Sequence, residues 1–84
     1  MAVAPSASAA FGERVRELRQ KGGLTQVDLS ERSGIPQGRI SEIERGARLP
    51  NLLTILRLAM ALECKPTALV APFDKVKLNV MFRK

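Results

Sequence analysis

The sequence predicts an all-α domain of five helices followed by one short β-strand. Three observations predict it. Apolar residues recur at helical spacing from residue 9 to residue 71. Capping residues, Gly and Pro divide that stretch into five segments. After Pro72 the period changes to strict alternation. The organisation that follows is a disordered N-terminal tail over 1–8, a helical domain over 9–71 and a C-terminal strand extension over 72–84.

In the first helix Phe11, Val15 and Leu18 recur at i, i+4 and i+7, with Arg and Glu on the other faces. Gly22-Gly23 suits a left-handed cap and a turn. Thr25-Gln26-Val27-Asp28 is a capping-box start for a second helix, from about Thr25 to Arg32. Ser33-Gly34-Ile35 breaks it. The third helix runs from about Pro36, tolerated in a first turn, to Arg45, and Gly46 stops it. Asn51 is a good N-cap for the fourth, whose predicted buried stripe is Leu52, Ile55, Leu56, Ala59 and Leu62. Pro66 starts a short fifth helix through about Ala71. Beyond it Val76, Leu78, Val80 and Phe82 alternate with Lys75, Lys77, Asn79, Met81 and Arg83, which reads as a strand. No other segment reads so, and a lone strand leaves its backbone groups unpaired, so it needs a partner from outside the chain.

Composition narrows the function. The 84 residues hold 14 Lys+Arg against 8 Asp+Glu, no His, no Trp, no Tyr and one Cys. Cys64 alone cannot build a zinc site, cannot close an intrachain disulfide and has no His to activate it. No metal, no cofactor and no small-molecule ligand is indicated, and the chain is not expected to be an enzyme. The longest apolar stretch, Leu52 to Leu62, is interrupted by Thr54 and Arg57 and is too short for a membrane span. Ala7-Ser8-Ala9 lacks the basic start and leucine-rich segment of a secretory signal, so a cytoplasmic location is expected. The net charge of +6 points to a polyanion as partner.

The two short helices joined by Ser33-Gly34-Ile35 have the form of a helix-turn-helix, in which a tight turn sets the second helix at about 90–120° to the first. Ile35 plugs the angle between them. Ile40 and Ile43 of the third helix point to the core. The opposite face carries Gly38, Ser41, Glu42 and Arg45, with Gln37 at the exposed tip. That face is polar, short-chained and flat, as a helix lying in a DNA major groove should be.

The run Leu24-Thr25-Gln26, Leu29, Gly34-Ile35, Ile40-Ser41, Ile43-Glu44-Arg45-Gly46, Pro50, Leu58-Ala59 and Ala61-Leu62 resembles the Cro and phage-repressor helix-turn-helix family, also called the XRE family. The resemblance covers roughly residues 11 to 70. It implies a five-helix, lambda-repressor-like domain that binds operator DNA as a dimer. Its third helix is then the recognition helix, and Gln37 matches the position whose amide pairs with adenine. Gln26 matches a residue that grips phosphate and braces that glutamine. Ser41 and Glu42 fall where further base readers sit. Arg39, Arg45 and Arg48 match phosphate contacts, with Asn51 helped by the N-terminus of the fourth helix. Arg19 and Glu44 match a structural ion pair between the first and third helices.

The sequence departs from the family at several positions. Pro36 stands where Ser or Thr usually caps the recognition helix. Gly38 replaces a longer reader, Glu63 a helix-capping Gly, and Lys65 the Ser before the fifth helix. Leu49, Leu53 and Met60 are apolar where the family is polar or charged. The resulting expectation is a transcriptional regulator, a repressor on a palindromic double-stranded operator. In its homodimer Val76, Leu78, Val80 and Phe82 pair across a two-fold axis and pack toward Leu49, Leu53 and Met60. The alternative is an antitoxin that binds a toxin protein through the same apolar surface and represses its own operon.

Overall fold

The computed structural model describes residues 6–82, the side chains of Lys75 and Val76 excepted. These form six helices: α1 (Ala7–Lys21), α2 (Gln26–Ser33), α3 (Gln37–Glu44), α4 (Leu52–Ala61), α5 (Pro66–Val70) and α6 (Lys75–Phe82). α1 starts two residues before the expected boundary because Ser6 caps it. The Ser6 hydroxyl accepts from the Ala9 N–H at 3.0 Å, satisfying one of the four donors a helix start leaves open. Phe11 and Val15 then enter the core with Leu29, Ile35, Ile40, Ile43, Leu58 and Leu69.

Local chemistry fixes the helix-turn-helix. At the start of α2, Thr25 accepts from the Asp28 N–H at 3.0 Å and Asp28 accepts from the Thr25 N–H at 2.9 Å. The bond from the Thr25 N–H, followed by the Thr25 side chain, holds the Asp28 carboxyl below its ordinary pKa. Gly34, at φ 75°, ends the helix in the left-handed region that favours glycine. The turn would otherwise bury polar backbone. Instead the buried Ser33 hydroxyl accepts from the Ile35 N–H at 3.1 Å, and the Ser30 hydroxyl donates to the Ile35 carbonyl at 2.6 Å. Among the described residues no buried side-chain polar atom lacks a partner.

α1 packs against α3 and α5, and α2 against α3 and α4. The α1–α3 crossing is close because Gly12 carries no side chain: a Cβ there would lie 2.0 Å from the Ile43 carbonyl oxygen. Arg14 pins α1 to α5 by donating from Nε to the Ala68 carbonyl at 2.8 Å.

The predicted stripe of α4 is corrected. Leu58, Ala59 and Ala61 are buried, and Ile55 and Leu62 pack against them, but Leu52 is 69% and Leu56 45% exposed. Nearly every residue of α4 is apolar, so periodicity alone cannot say which side faces inward. Contact with α2 and α5 decides it. Leu52, Leu56 and Met60 therefore form an outward ridge at i, i+4 and i+8, flanked by Leu49 and Leu53.

The C-terminal strand is also corrected. Residues 75–82 are helical, and no strand occurs among the described residues. Asp74 supplies the start signal: its carboxylate accepts from the Lys77 N–H at 2.8 Å, and its carbonyl from the Leu78 N–H at 2.9 Å. A helix satisfies its backbone groups within the segment, which removes the need for a strand partner that motivated the ribbon. Residues two apart diverge by 200° on a helix, so the alternating apolar residues line no single side. Lys77 and Met81 are half-buried, while Leu78, Val80 and Phe82 are exposed. The expected ribbon packed toward Leu49, Leu53 and Met60 is absent here; the side chain of Val76, its first member, lies outside the described residues.

Candidate nucleic-acid interface

α3 is held by Ile40 and Ile43, buried on one side. At 100° per residue the opposite side is centred on Gly38 and Arg45, with Ser41 and Glu42 flanking them. Gln37, Gly38, Arg39 and Arg45 are exposed, and Ser41 and Glu42 are half-buried. Gly38, Ser41, Glu42 and Arg45 thus share one outward surface, with Gln37 and Arg39 to either side of it at the start of the helix. Pro36 precedes the helix and supplies no side-chain cap.

Behind this surface lies a cluster centred on Glu44. Arg19 donates from Nε to Glu44 Oε2 at 2.7 Å and from Nη2 to Oε1 at 3.0 Å. Its Nη1 reaches the Leu24 carbonyl at 2.8 Å, tying the end of α1 to the same unit. The Glu44 hydrogen bond raises the Arg19 pKa against the opposing effect of burial. The expected structural pair is therefore present and bidentate. Gln26 joins it, donating from Nε2 to Glu44 Oε1 at 3.1 Å. No hydrogen bond joins Gln26 to Gln37 among the described residues; the bond to Glu44 uses one of the two Gln26 amide hydrogens.

Two further candidates engage each other. Arg48 Nε donates to Glu42 Oε2 at 3.2 Å across the turn at Gly46, where both side chains remain partly open to solvent. This six-residue separation is no helical spacing and leaves no pattern in the sequence. The Asn51 carboxamide oxygen caps α4 by accepting from the Thr54 N–H at 2.9 Å. Only its amide hydrogens remain for a phosphate. Arg16, which sequence reasoning missed, lines a shallow depression with Arg19, Gln26, Glu44 and Arg45. Its signal was the i, i+3 spacing from Arg19 along α1.

Residues 15–69 match the helix-turn-helix family. An uncharacterized HTH-type transcriptional regulator of Sinorhizobium fredii is 41% identical over 64 residues, which are 76% of this chain and 83% of that protein. The chain belongs to the Cro and phage-repressor helix-turn-helix family of DNA-binding regulators. Another member, the immunity repressor protein of Bacillus phage phi105, is 32% identical over 79% of this chain, which spans only 46% of that repressor's length. Among solved structures, the restriction-modification controller protein C.AhdI of Aeromonas hydrophila superposes with a TM-score of 0.72 at 42% identity. The match covers 74% of this chain and 94% of that one. Against the family pattern, Glu63 stands in the left-handed region, at φ 54°, where the family uses Gly. No group of three or more potential metal ligands occurs among the described residues, and no described helix is long and apolar enough to cross a membrane.

Proposed function

We propose that this helix-turn-helix protein is a transcriptional repressor that binds a palindromic double-stranded operator as a homodimer, with α3 in the major groove. The observation that carries this reading is the outward surface of α3, polar and short-chained, set beside Arg16 and Gln26 in one depression and beside Arg48 through Glu42. Gln37 reads adenine through its carboxamide, and Ser41 and Glu42 contact neighbouring base edges. Arg16, Arg39, Arg45, Arg48, Gln26 and Asn51 hold phosphates, fixing register without carrying sequence information.

The ridge of Leu52, Leu56 and Met60, with Leu49 and Leu53, supports the second half of the proposal. Five exposed large apolar residues along one helix and its approach suit a protein contact. The ridge residues are all apolar, with Arg57 alongside, and an apolar ridge of this kind can pack against its own copy across a two-fold axis, which favours a homodimer over a toxin protein as occupant. Two such subunits place their recognition helices about 34 Å apart on one side of the duplex.

Selection of bound duplexes from a random pool tests the reading. The expected result is an inverted repeat, with loss of tight binding when Leu56→Glu disrupts the ridge. Recovery of duplexes without any common sequence would overturn it.

A further inference from the structure

Gly38 occupies the centre of the α3 surface, opposite Ile40 and Ile43, yet nothing in the fold requires glycine there. Gly12 and Gly46 face backbone that a Cβ would strike, at 2.0 Å from Ile43 and 2.9 Å from Ala9. Gly23 and Gly34 adopt positive φ. Gly22 lies at the C-cap of α1, just outside the helix. Gly38 is the second residue of α3, has helical backbone, and a Cβ built on it meets no atom within 4 Å. Glycine weakens a helix relative to alanine, so at this position the chain forgoes helix stability with no return in packing.

The return lies in what the position faces. A side chain at residue 38 would point directly away from the core, as Arg45 does at the other end of α3, and at the helix N-terminus it would meet the floor of a groove. Ser41, one turn on and beside it, has a hydroxyl only one bond beyond Cβ, so it reaches a base edge only if the α3 backbone comes close. We infer that Gly38 is a specificity-determining residue: its missing side chain seats α3 deep enough for Ser41 to hydrogen-bond a base edge. Gly38 is thus a positioning residue that acts through Ser41. The inference rests on the proposed DNA-reading role of α3.

Full-length Gly38→Ala and Gly38→Val variants, each with and without Ser41→Ala, test this by titration on the selected operator and on a random duplex, beside thermal melts. Gly38→Ala should melt at a higher temperature than the parent protein. It should nonetheless bind operator more weakly, and Gly38→Val should lose about tenfold or more, while binding to random duplex changes less than about twofold. Ser41→Ala should weaken the parent protein but cost nothing further beside Gly38→Val, since the hydroxyl is already out of reach. Unchanged operator affinity for Gly38→Val, or Ser41→Ala losses that simply add, would overturn the role of Gly38 while leaving the DNA reading intact. A parent protein with no preference for any duplex would overturn both.

Discussion

Glu44 grips the Arg19 guanidinium with both carboxylate oxygens, at 2.7 and 3.0 Å, with only 12% of the Arg19 side chain and 4% of the Glu44 side chain exposed. Two charges so sheltered depend on each other, because removing either leaves the other desolvated and unpaired. Glu44→Ala should therefore cost about 2–4 kcal/mol of stability. Glu42→Ala, which breaks only the exposed pair with Arg48, should cost about 0–1 kcal/mol. Urea melts of the two variants check this; similar midpoints would show that the Arg19–Glu44 pair contributes no more than a solvated one.

The α1–α3 crossing makes a sharper demand. Alanine is the better helix former, so an isolated α1 would gain from Gly12→Ala. In the folded protein the new Cβ would stand 2.0 Å from the Ile43 carbonyl oxygen and 2.9 Å from that of Glu44, and backbone cannot move aside as a flexible side chain can. The variant should lose about 3 kcal/mol or more, the upper range for overpacking. Calorimetry that found it as stable as the parent would mean the two helices separate at little cost.

These two sites also show what the sequence could disclose. Signals written within a few residues were legible: the Thr25–Asp28 box, the Gly34 turn and the Asn51 cap all correspond to observed hydrogen bonds or dihedrals. The Arg19–Glu44 pair, 25 residues apart, came only through family resemblance. Gly12 could not be read, because its requirement belongs to the helix that crosses it. In α4 apolar residues surround the axis, so its inward side was set by neighbours rather than by pattern. In 75–82 the alternation concealed the cap at Asp74, a helix signal that the strand reading passed over. Of the candidate interface, the residues of α3 were legible from its period. Partners across a turn, such as Glu42 and Arg48, were not.

The Asp28 cap makes part of the stability depend on pH. Its folded pKa lies below the ordinary value of 3.8, so the cap contributes fully above that value and is lost as pH falls through the folded one. The parent protein should out-melt Asp28→Ala at pH 6, and the gap should narrow in the acid range below about pH 4. Thermal melts of both proteins across pH 2–6 measure it. A gap of constant size would show that the protonated carboxyl caps α2 equally well.

Glu63 holds a left-handed backbone, at φ 54°, after the end of α4. That conformation costs a residue with a Cβ roughly 1 kcal/mol or more, and glycine far less. The only ion pair the side chain forms among the described residues, with Arg32 at 4.0 Å, is exposed and offsets little. Glu63→Gly should raise stability by about 0.5–1 kcal/mol despite the greater freedom glycine brings to the unfolded chain. Chemical denaturation checks the sign, and a loss would indicate that the Arg32 contact outweighs the backbone strain.

On DNA, Gln37 and Arg45 should fail in different ways. Gln37 stands exposed at the first position of α3 and is proposed to make a paired contact with one base. Its truncation to alanine should cost about 1–3 kcal/mol on the selected operator and almost nothing on random duplex. Arg45 caps α3 at its other end and lies beside Arg16 and Gln26. As the proposed phosphate contact it would release counterions whatever the sequence. Arg45→Ala should weaken operator and random duplex alike and lower the salt slope by about one unit per subunit. Titrations of both variants at several salt concentrations separate the roles. If Gln37→Ala lost equally on both duplexes, the residue would be holding the backbone, and reading would fall to Ser41 and Glu42 alone.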